Sequence, residues 1–468
     1  GTNTAGVADN IVTTWSSSIE AGSGTITIRS GSASGTVVDQ FVVGSSSSIT
    51  IAGNSLTLNP AVDLSGDIEY FVTYPAGSIK ALGGVLQNEQ LIYSFTTELA
   101  PQLWARGFAE QGATGQNDRT NRSSPIQVGA DTTWDSVHTG EAAGFGAAVK
   151  TDGTLWTWGK NWYGNLGINE SPGAYSSPVQ VGTNTTWAKT TNVAFGTILS
   201  IKTDGTLWSW GYNTKGNLAL NDRAHYSSPT QVGTNTTWSQ VSASVRHSGA
   251  IKTDGTLWMW GENGSGGLGQ NQAPAQLDSV SSPVQVGTDT TWSKMNLGRA
   301  GGAAIKTDGT LWTWGINNGS YGGALGLNDE VQRSSPTQVP GTTWSSTSSG
   351  LGGTLATKTD GTLWSMGAND AGELGLNNNV KYSSPTQVGT DTTWNACHRK
   401  GTNGTECAAS KTDGTMWVWG QNSDGNLGLN DGPGVPGRSS PTQLPGTNWL
   451  IESYQFAQGG DFGWHLRS

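Results

Sequence analysis

The sequence of 468 residues predicts an all-β protein, most of which is a closed β-propeller. Three observations lead to this prediction. The phrase KTDGT, followed by Leu-Trp or Met-Trp, occurs six times. A Trp-containing unit recurs seven times at a spacing of about 52 residues. Within each unit, short runs alternate between apolar and polar residues, as half-buried strands do. We therefore predict a seven-bladed β-propeller closed by N- and C-terminal strands that share one blade, preceded by a β-sandwich.

Three sequence markers each occur seven times along the chain. The first is the Trp that follows Leu or Met, at Trp104, Trp156, Trp208, Trp258, Trp312, Trp364 and Trp417. The second is the proline of an SSP phrase, at Pro125, Pro178, Pro229, Pro283, Pro336, Pro385 and Pro441. The third is a Trp after Thr or Asn, at Trp134, Trp187, Trp238, Trp292, Trp344, Trp394 and Trp449. Because all three keep one period, the repeat is a structural unit.

Each unit is predicted to hold four strands. In TLWTW, at residues 154–158, side chains of alternate residues point to opposite faces. The Asp152-Gly153 pair between AAVK and TLWTW predicts a tight hairpin, so Asp152 is interpreted as a turn former. SSPVQVG and the segment after TTW supply two more strands. We expect the Trp of the phrase to fill the space between neighbouring blades.

The two ends of the repeat region complement each other. The first unit has the Trp104 strand without a preceding AAVKTDG, and the last unit stops before any TLWTWG. Each end therefore supplies half a blade. We expect residues 462–466 to pair with residues 103–106 and close the ring.

The stretch GTLWTWGKNWYGNLGINESPGAYSSPVQV, at residues 153–181, resembles the regulator of chromosome condensation repeat, which joins a W-x-W-G strand to a Gly-Leu-Gly loop. The resemblance covers about residues 99–468 and implies a seven-bladed propeller. Members of that family include a guanine-nucleotide exchange factor on chromatin, a plant ultraviolet-B photoreceptor and secreted β-lactamase inhibitors. The fold therefore does not determine the function.

Residues 1–98 lack the repeat and are predicted to form a separate domain. Alternating runs such as GTITIRS and QFVVG are separated by turns at a spacing typical of a β-sandwich. The phrases LTLNP, YFVTYPAGSIKALGG and YSFTT are similar to bacterial Ig-like domains of the surface-layer type. The predicted organisation is an Ig-like β-sandwich at 1–98 and the propeller at 99–468. The polar run that opens at Gly1 indicates processing or a fragment of a longer protein.

Composition and motifs exclude several classes of function. The net charge is −10 without a basic stripe, so nucleic acid is not an expected partner. No apolar stretch approaches the roughly 20 residues of a membrane span. The histidines lie in different units without ligand spacing and are interpreted as surface or loop residues: His138, His225, His247, His398 and His465. No catalytic residue, metal site or cofactor is predicted.

The only cysteines, Cys397 and Cys407, flank HRKGTNGTE within one unit. They should lie on facing hairpin strands, which favours a disulfide and hence an oxidising compartment. Two buried free thiols are the alternative.

Variation among the units indicates where a partner binds. The TDG turns and the GTNTTW connections share one rim and hardly differ, whereas the connections after WG and after the TTW strand share the other rim and vary. On this variable rim, the candidate binding residues are Trp162, Tyr163, Tyr212 and Tyr321. The alternative for each is packing within its own loop.

These observations favour a non-enzymatic extracellular or virion-surface protein, similar to a phage tail or neck fibre or to a cell-surface adhesin. Its partner would be a cell-surface glycan, a protein or a neighbouring virion subunit, and a homo-oligomer is left open. The alternatives are a carbohydrate-active enzyme on a propeller scaffold and, with less support, a guanine-nucleotide exchange factor-like adaptor.

Overall fold

The structure is a computed structural model of the chain. It describes residues 4–5, 10–61, 64, 68–85, 87, 89–97, 101–139, 144–272, 277–299, 301–350, 352–400, 405–422, 425–431, 435–450, 456–458 and 462–467. The chain folds into two compact units, Gly1–Ala100 and Pro101–Arg467. Within the described ranges, the regular structure consists of strands and three short 3₁₀ turns. None of the helical segments described has the length and apolar character needed to cross a membrane.

The first unit is built from sheets that share one apolar core. Its strands are β1 (Thr4–Ala5), β2 (Ile11–Thr14), β3 (Ile19–Ala21), β4 (Thr25–Ser30), β5 (Thr36–Val42), β6 (Ile49–Ala52), β7 (Ser55–Leu58), β8 (Glu69–Tyr74), β9 (Ile79–Ala81) and β10 (Leu91–Thr97). They form sheets in the orders β1-β10-β8-β4-β5, β2-β7-β6 and β3-β9. Alternate residues of β8 are buried, as the period of a strand requires, and Leu56 and Leu58 of β7 join the same core.

The second unit repeats a strand pattern along its length. Its strands are β11 (Gln102–Gly107), β12 (Arg122–Gln127), β13 (Trp134–Thr139), β14 (Phe145–Lys150), β15 (Leu155–Lys160), β16 (Ala174–Gln180), β17 (Trp187–Ala194), β18 (Thr197–Lys202), β19 (Leu207–Gly211), β20 (Tyr226–Gln231), β21 (Trp238–Ala243), β22 (His247–Lys252), β23 (Leu257–Glu262), β24 (Ser279–Gln285), β25 (Trp292–Gly298), β26 (Gly301–Lys306), β27 (Leu311–Gly315), β28 (Arg333–Gln338), β29 (Trp344–Ser349), β30 (Gly353–Lys358), β31 (Leu363–Gly367), β32 (Tyr382–Gln387), β33 (Trp394–Lys400), β34 (Glu406–Lys411), β35 (Met416–Gly420), β36 (Arg438–Gln443), β37 (Phe456–Gln458) and β38 (Phe462–Arg467). Short 3₁₀ turns lie at Glu110–Gly112, Gly264–Gly266 and Gly319–Tyr321.

These strands form four-stranded sheets that resemble the blades of a propeller. The sheets have the orders β13-β14-β15-β16, β17-β18-β19-β20, β21-β22-β23-β24, β25-β26-β27-β28, β29-β30-β31-β32, β33-β34-β35-β36 and β12-β11-β38-β37. From β13 to β33, the first strand of each sheet contacts the first strand of the next. Strand β37 contacts both β33 and β13. In the six sheets from β13 to β36, the last strand, such as β16, lies at the sheet's other edge.

The sheet β12-β11-β38-β37 joins the two ends of the second unit. Strands β11 and β38 are antiparallel, with Leu103 opposite Leu466 and Trp104 opposite His465. The predicted pairing of residues 462–466 with residues 103–106 is confirmed.

The second Trp of the repeated phrase lies between sheets. Five such indoles are fully buried, and each donates its Nε1 hydrogen to a carbonyl in a connection of the preceding sheet. The pairs are Trp158–Ala113 (3.1 Å), Trp210–Asn165 (3.1 Å), Trp260–Asn217 (2.7 Å), Trp314–Gly267 (2.9 Å) and Trp419–Glu373 (2.9 Å). The expectation that this Trp fills the space between sheets is confirmed. Met366 and Arg106, both buried, hold the corresponding position in two other sheets.

The TDG turns hold the first Trp of each repeated phrase in place. Asp152 accepts hydrogen bonds from the amide (2.9 Å) and hydroxyl (2.7 Å) of Thr154, whose oxygen accepts the Trp156 indole hydrogen at 2.9 Å. The Asp is thus a turn former, as predicted. The amide of Trp187 donates to the carbonyl of Gly153 at 3.1 Å. TDG turns and TTW connections therefore share one rim.

Candidate functional site

An aromatic cluster lies where three connections of the variable rim meet. Its rings are Trp162 and Tyr163 after β15, Phe195 between β17 and β18, and Tyr212 and His225 after β19. Tyr163 lies 4.9 Å from Tyr212 and 5.1 Å from His225, measured between ring centroids. His225 stacks on Tyr212 at 5.3 Å, and Phe195 meets Tyr212 edge-on at 5.7 Å. Four rings from two neighbouring sheets therefore hold one another in place.

Backbone geometry brings these connections together. The amide of Tyr212 donates to the carbonyl of Gly196 at 2.7 Å. At Gly211, where φ is 96°, a Cβ atom would lie only 1.9 Å from the Gly196 oxygen, so a side chain at this position is excluded. Phe195 itself has φ of 33°, an unfavourable conformation for a bulky residue. Such strain concentrates at functional sites, which makes this turn a candidate.

Trp162 is, like His225, an exposed member of the cluster. Its side chain is 54% exposed, and the Lys160 Nζ atom lies 2.9 Å from the centroid of its ring. Beside it is a hollow of about 30 Å³ lined by Phe145, Tyr163 and Phe195 among others. A hollow this small cannot enclose a ligand. The cluster is instead a shallow aromatic platform on which a flat or ring-shaped group could stack.

Two polar groups border this platform. The amide of Asn213 donates to Nδ1 of His225 at 3.0 Å, so the neutral ring carries its hydrogen on Nε2. Burial lowers the pKa of His225, which keeps the ring neutral at pH 7. The Tyr212 hydroxyl is hydrogen-bonded to Thr214. The platform is therefore aromatic, with the charged Lys160 amine against the Trp162 ring.

The structure brings together three of the four candidate binding residues. Trp162, Tyr163 and Tyr212 belong to the cluster. Tyr321 lies in the 3₁₀ turn Gly319–Tyr321, in the connection between β27 and β28, and is not part of it. The sequence interpretation missed Phe195 and His225. Their only signal is position, because Phe195 lies in a connection of the same rim and His225 lies in the same connection as Tyr212.

The predicted disulfide between Cys397 and Cys407 is wrong, because both are buried free thiols. Cys397 lies opposite Ala409, and Cys407 opposite Arg399, so the cysteines are diagonal neighbours on β33 and β34. Diagonal positions are about 7–8 Å apart, beyond the usual disulfide range. The Cys407 thiol donates to the carbonyl of Glu373 at 3.1 Å. Burial raises the pKa of Cys397 to about 12 and raises that of Cys407 as well. The oxidising compartment inferred from this bond loses its support.

Two histidines expected at the surface are buried. His247 donates from Nε2 to the carbonyl of Gly301 at 3.2 Å, and burial lowers its pKa to about 4. His465 accepts a hydrogen bond from Nε of the buried Arg106 at 3.1 Å. Both histidines have structural contacts. In the described part of the chain, no group of three or more His, Cys, Asp or Glu side chains could hold a metal ion.

Comparison of the amino-acid sequence with protein families identifies a known repeat in the second unit. Residues 152–200, 204–251 and 360–398 match the Regulator of chromosome condensation (RCC1) repeat, and residues 238–266 match a second description of it. These segments are RCC1 repeats. A curated relative, the Ultraviolet-B receptor UVR8 of Arabidopsis thaliana, is 26% identical over 269 residues, which are 55% of this chain and 59% of the relative. The chain thus matches less than two thirds of the length of UVR8.

Two solved structures share the fold of the second unit's repeats. Prp20p from Saccharomyces cerevisiae superimposes with a TM-score of 0.67 at 17% identity, covering 79% of this chain and 91% of Prp20p. Human WBSCR16 gives 0.66 at 18% identity, covering 79% of this chain and 99% of WBSCR16. At these identities the likeness shows an RCC1-like, propeller-like all-β fold and nothing about function.

Proposed function

We propose that residues 99–468 form a seven-bladed β-propeller and that residues 1–98 form an Ig-like β-sandwich. The proposal for the propeller is supported by the four-stranded sheets of the second unit and by the contacts of β37 with both β33 and β13. The proposal for the sandwich is supported by the sheets of the first unit that share one core.

The protein's proposed role is recognition without catalysis, at an extracellular or virion surface. The observation that carries this proposal is the exposed Trp162 beside the ordered rings of Tyr163 and Tyr212, on a rim that varies between repeats. Trp and Tyr contribute disproportionately to binding because they bury a large area at a low entropic cost. The proposed partner is a cell-surface glycan or a protein. The structure of Prp20p was reported with its binding to Gsp1p and histones. A similar fold can therefore bind protein partners, but the identity of those partners does not transfer to this chain.

Replacement of both Trp162 and Tyr163 by Ala tests this proposal. Binding of the full chain to a glycan array, and capture of surface proteins, should weaken by about tenfold or more, since loss of a central aromatic costs about 2 kcal/mol or more. Tyr321→Ala is the matched control, because it removes an aromatic elsewhere on the same rim. Circular dichroism should show that both variants remain folded.

Three results would count against the proposal. Release of sugar from any bound glycan would indicate the alternative, a carbohydrate-active enzyme. Equal losses in the double variant and in Tyr321→Ala would show that the aromatic cluster is not the binding site. A solved complex that touches only the TDG rim would have the same meaning.

A further inference from the structure

The Lys of each KTDGT phrase lies between two Trp rings. In three sheets it also forms an ion pair with an Asp from the preceding TTW connection. Lys306 donates to Asp289 at 2.9 Å, and Lys150 and Lys411 are paired in the same way with Asp131 and Asp391. The charge of the buried ammonium group is thus compensated both by the rings and by a carboxylate.

The sheet β17–β20 lacks this carboxylate. Lys202 lies 4.8 Å from the Trp187 centroid and 3.8 Å from the Trp208 centroid and is only 9% exposed. Asn184 occupies the position of the Asp, and its Oδ1 accepts a hydrogen bond from the Thr186 amide at 3.0 Å. In the part of the chain that the structure describes, no carboxylate lies within ion-pair distance of Lys202. Burial lowers the pKa of Lys202, and the charge of the nearby Asp204 opposes this shift.

A groove of about 610 Å³ opens at this position. Lys202 and Asn184 line it together with Trp187, Trp208 and Tyr175. Its volume lies within the range of small-molecule sites, about 300–1,000 Å³. It shares no lining residue with the hollow beside Trp162, so it is a separate feature.

We propose that this groove binds a sugar that carries a carboxylate, such as a hexuronic acid. The ligand carboxylate takes the place that the Asp side chain has in the other sheets, where it accepts hydrogen bonds from Lys202 Nζ and Asn184 Nδ2. Because Asn184 Oδ1 is engaged by Thr186, its Nδ2 group is left as the donor. The aromatic walls suit the apolar face of a pyranose ring.

Two features favour a carboxylate over a phosphate. The groove offers the Lys202 ammonium and the Asn184 amide as donors, which match the single charge and two oxygens of a carboxylate. Glu170 also lines the groove, where its carboxylate accepts the hydrogen bond of the Tyr175 hydroxyl. A phosphate near pH 7 carries between one and two charges and three free oxygens, so part of its charge would be buried without compensation.

The chain contains its own control for this proposal. In the sheet β21–β24, Lys252 lies 4.8 Å from the Trp238 centroid and 3.9 Å from the Trp258 centroid. Asn235 again replaces the Asp, and it accepts a hydrogen bond from the Thr237 amide at 2.9 Å. Neither Lys252 nor Asn235 lines the groove. Identical substitutions can therefore be made inside and outside the proposed site.

Calorimetric titration of the full chain with methyl β-D-glucuronide and with methyl β-D-glucoside tests the proposal. The glucuronide should bind at least about tenfold more tightly than the glucoside, because only it forms the charge-assisted hydrogen bonds. Asn184→Asp should weaken glucuronide binding by about tenfold or more, since the new carboxylate pairs with Lys202. Lys202→Met should have a similar effect, whereas Asn235→Asp and Lys252→Met should bind as the unmodified chain does.

Several outcomes would overturn the assignment. They are equal affinity for the two glycosides, unchanged binding by Asn184→Asp, or an equal loss in Asn235→Asp. A glutamate-containing peptide that binds as tightly as the glucuronide would overturn the choice of a sugar. If Lys202→Met fails to fold, Asn184→Asp still decides the question, because it only restores the Lys–Asp pair found in other sheets.

Discussion

Trp210→Ala should destabilise the second unit far more than Trp208→Ala, although the two indoles are two residues apart on one strand. The Trp210 ring is fully buried, and its indole hydrogen bonds the carbonyl of Asn165 in the preceding sheet at 3.1 Å. Truncation of a buried Trp costs about 3–5 kcal/mol. The unsatisfied Asn165 carbonyl adds about 1 kcal/mol or more. We therefore expect a loss of about 4–6 kcal/mol in the free energy of unfolding.

The Trp208 ring is half-buried and stacks on Lys202, so its loss should cost only about 1–2 kcal/mol. Trp210→Met should fall between the two, because Met366 fills the same position in the sheet β29–β32. Urea unfolding followed by circular dichroism, with hydrogen exchange of β17–β20 peptides, measures all three variants. If Trp210→Ala lost no more stability than Trp208→Ala, the interpretation of the buried indole as an inter-sheet wedge would be refuted.

Two further predictions concern buried titratable groups. His247 has a pKa of about 4 in the folded protein, below its ordinary 6.5, so the unfolded chain takes up a proton first. Its stabilising contribution is complete above about pH 6.5 and is lost as the pH falls toward 4. His247→Asn should therefore reduce the change of the urea midpoint across that pH window, and an unchanged slope would contradict the assignment. Cys397 and Cys407 should react with a thiol reagent only after denaturation, giving two thiols per chain, and Cys407→Ala should leave one. No thiol after denaturation without reductant would instead restore the disulfide.

The strand pattern of the second unit was predictable because each repeat carries its own evidence. The hairpin at Asp152-Gly153 and the buried Trp158 follow from a local period of two and from turn chemistry. The pairing of β11 with β38 follows from the complementary end units. The position of Lys150 was not predictable, because a Lys beside a turn is usually solvated. Its burial depends on the ring of Trp134, which belongs to another strand.

The candidate site was predictable only in part, because some of its contacts also come from residues that are distant along the chain. Tyr163 and Tyr212 were found because they follow WG in variable connections. Phe195 reaches them through a turn between other strands, and residue spacing along the chain gives no sign of that contact. The cysteine prediction failed because the register of β33 and β34 places Cys397 opposite Ala409 and Arg399 opposite Cys407, which separates the two thiols by two positions. The register of this hairpin was not readable from the sequence.

The pairing of β11 with β38 also dictates the order of events during biosynthesis. The Arg106–His465 hydrogen bond joins residues that are 359 positions apart. At about 5–20 residues per second, a ribosome needs on the order of 20–70 s to make the intervening chain. Throughout that time β11 has no partner on the side that β38 will occupy, and its backbone groups are open to other strands. Closure of this sheet therefore has to wait for the synthesis of β38, and a chain released before that point would expose an edge capable of capturing a second nascent chain.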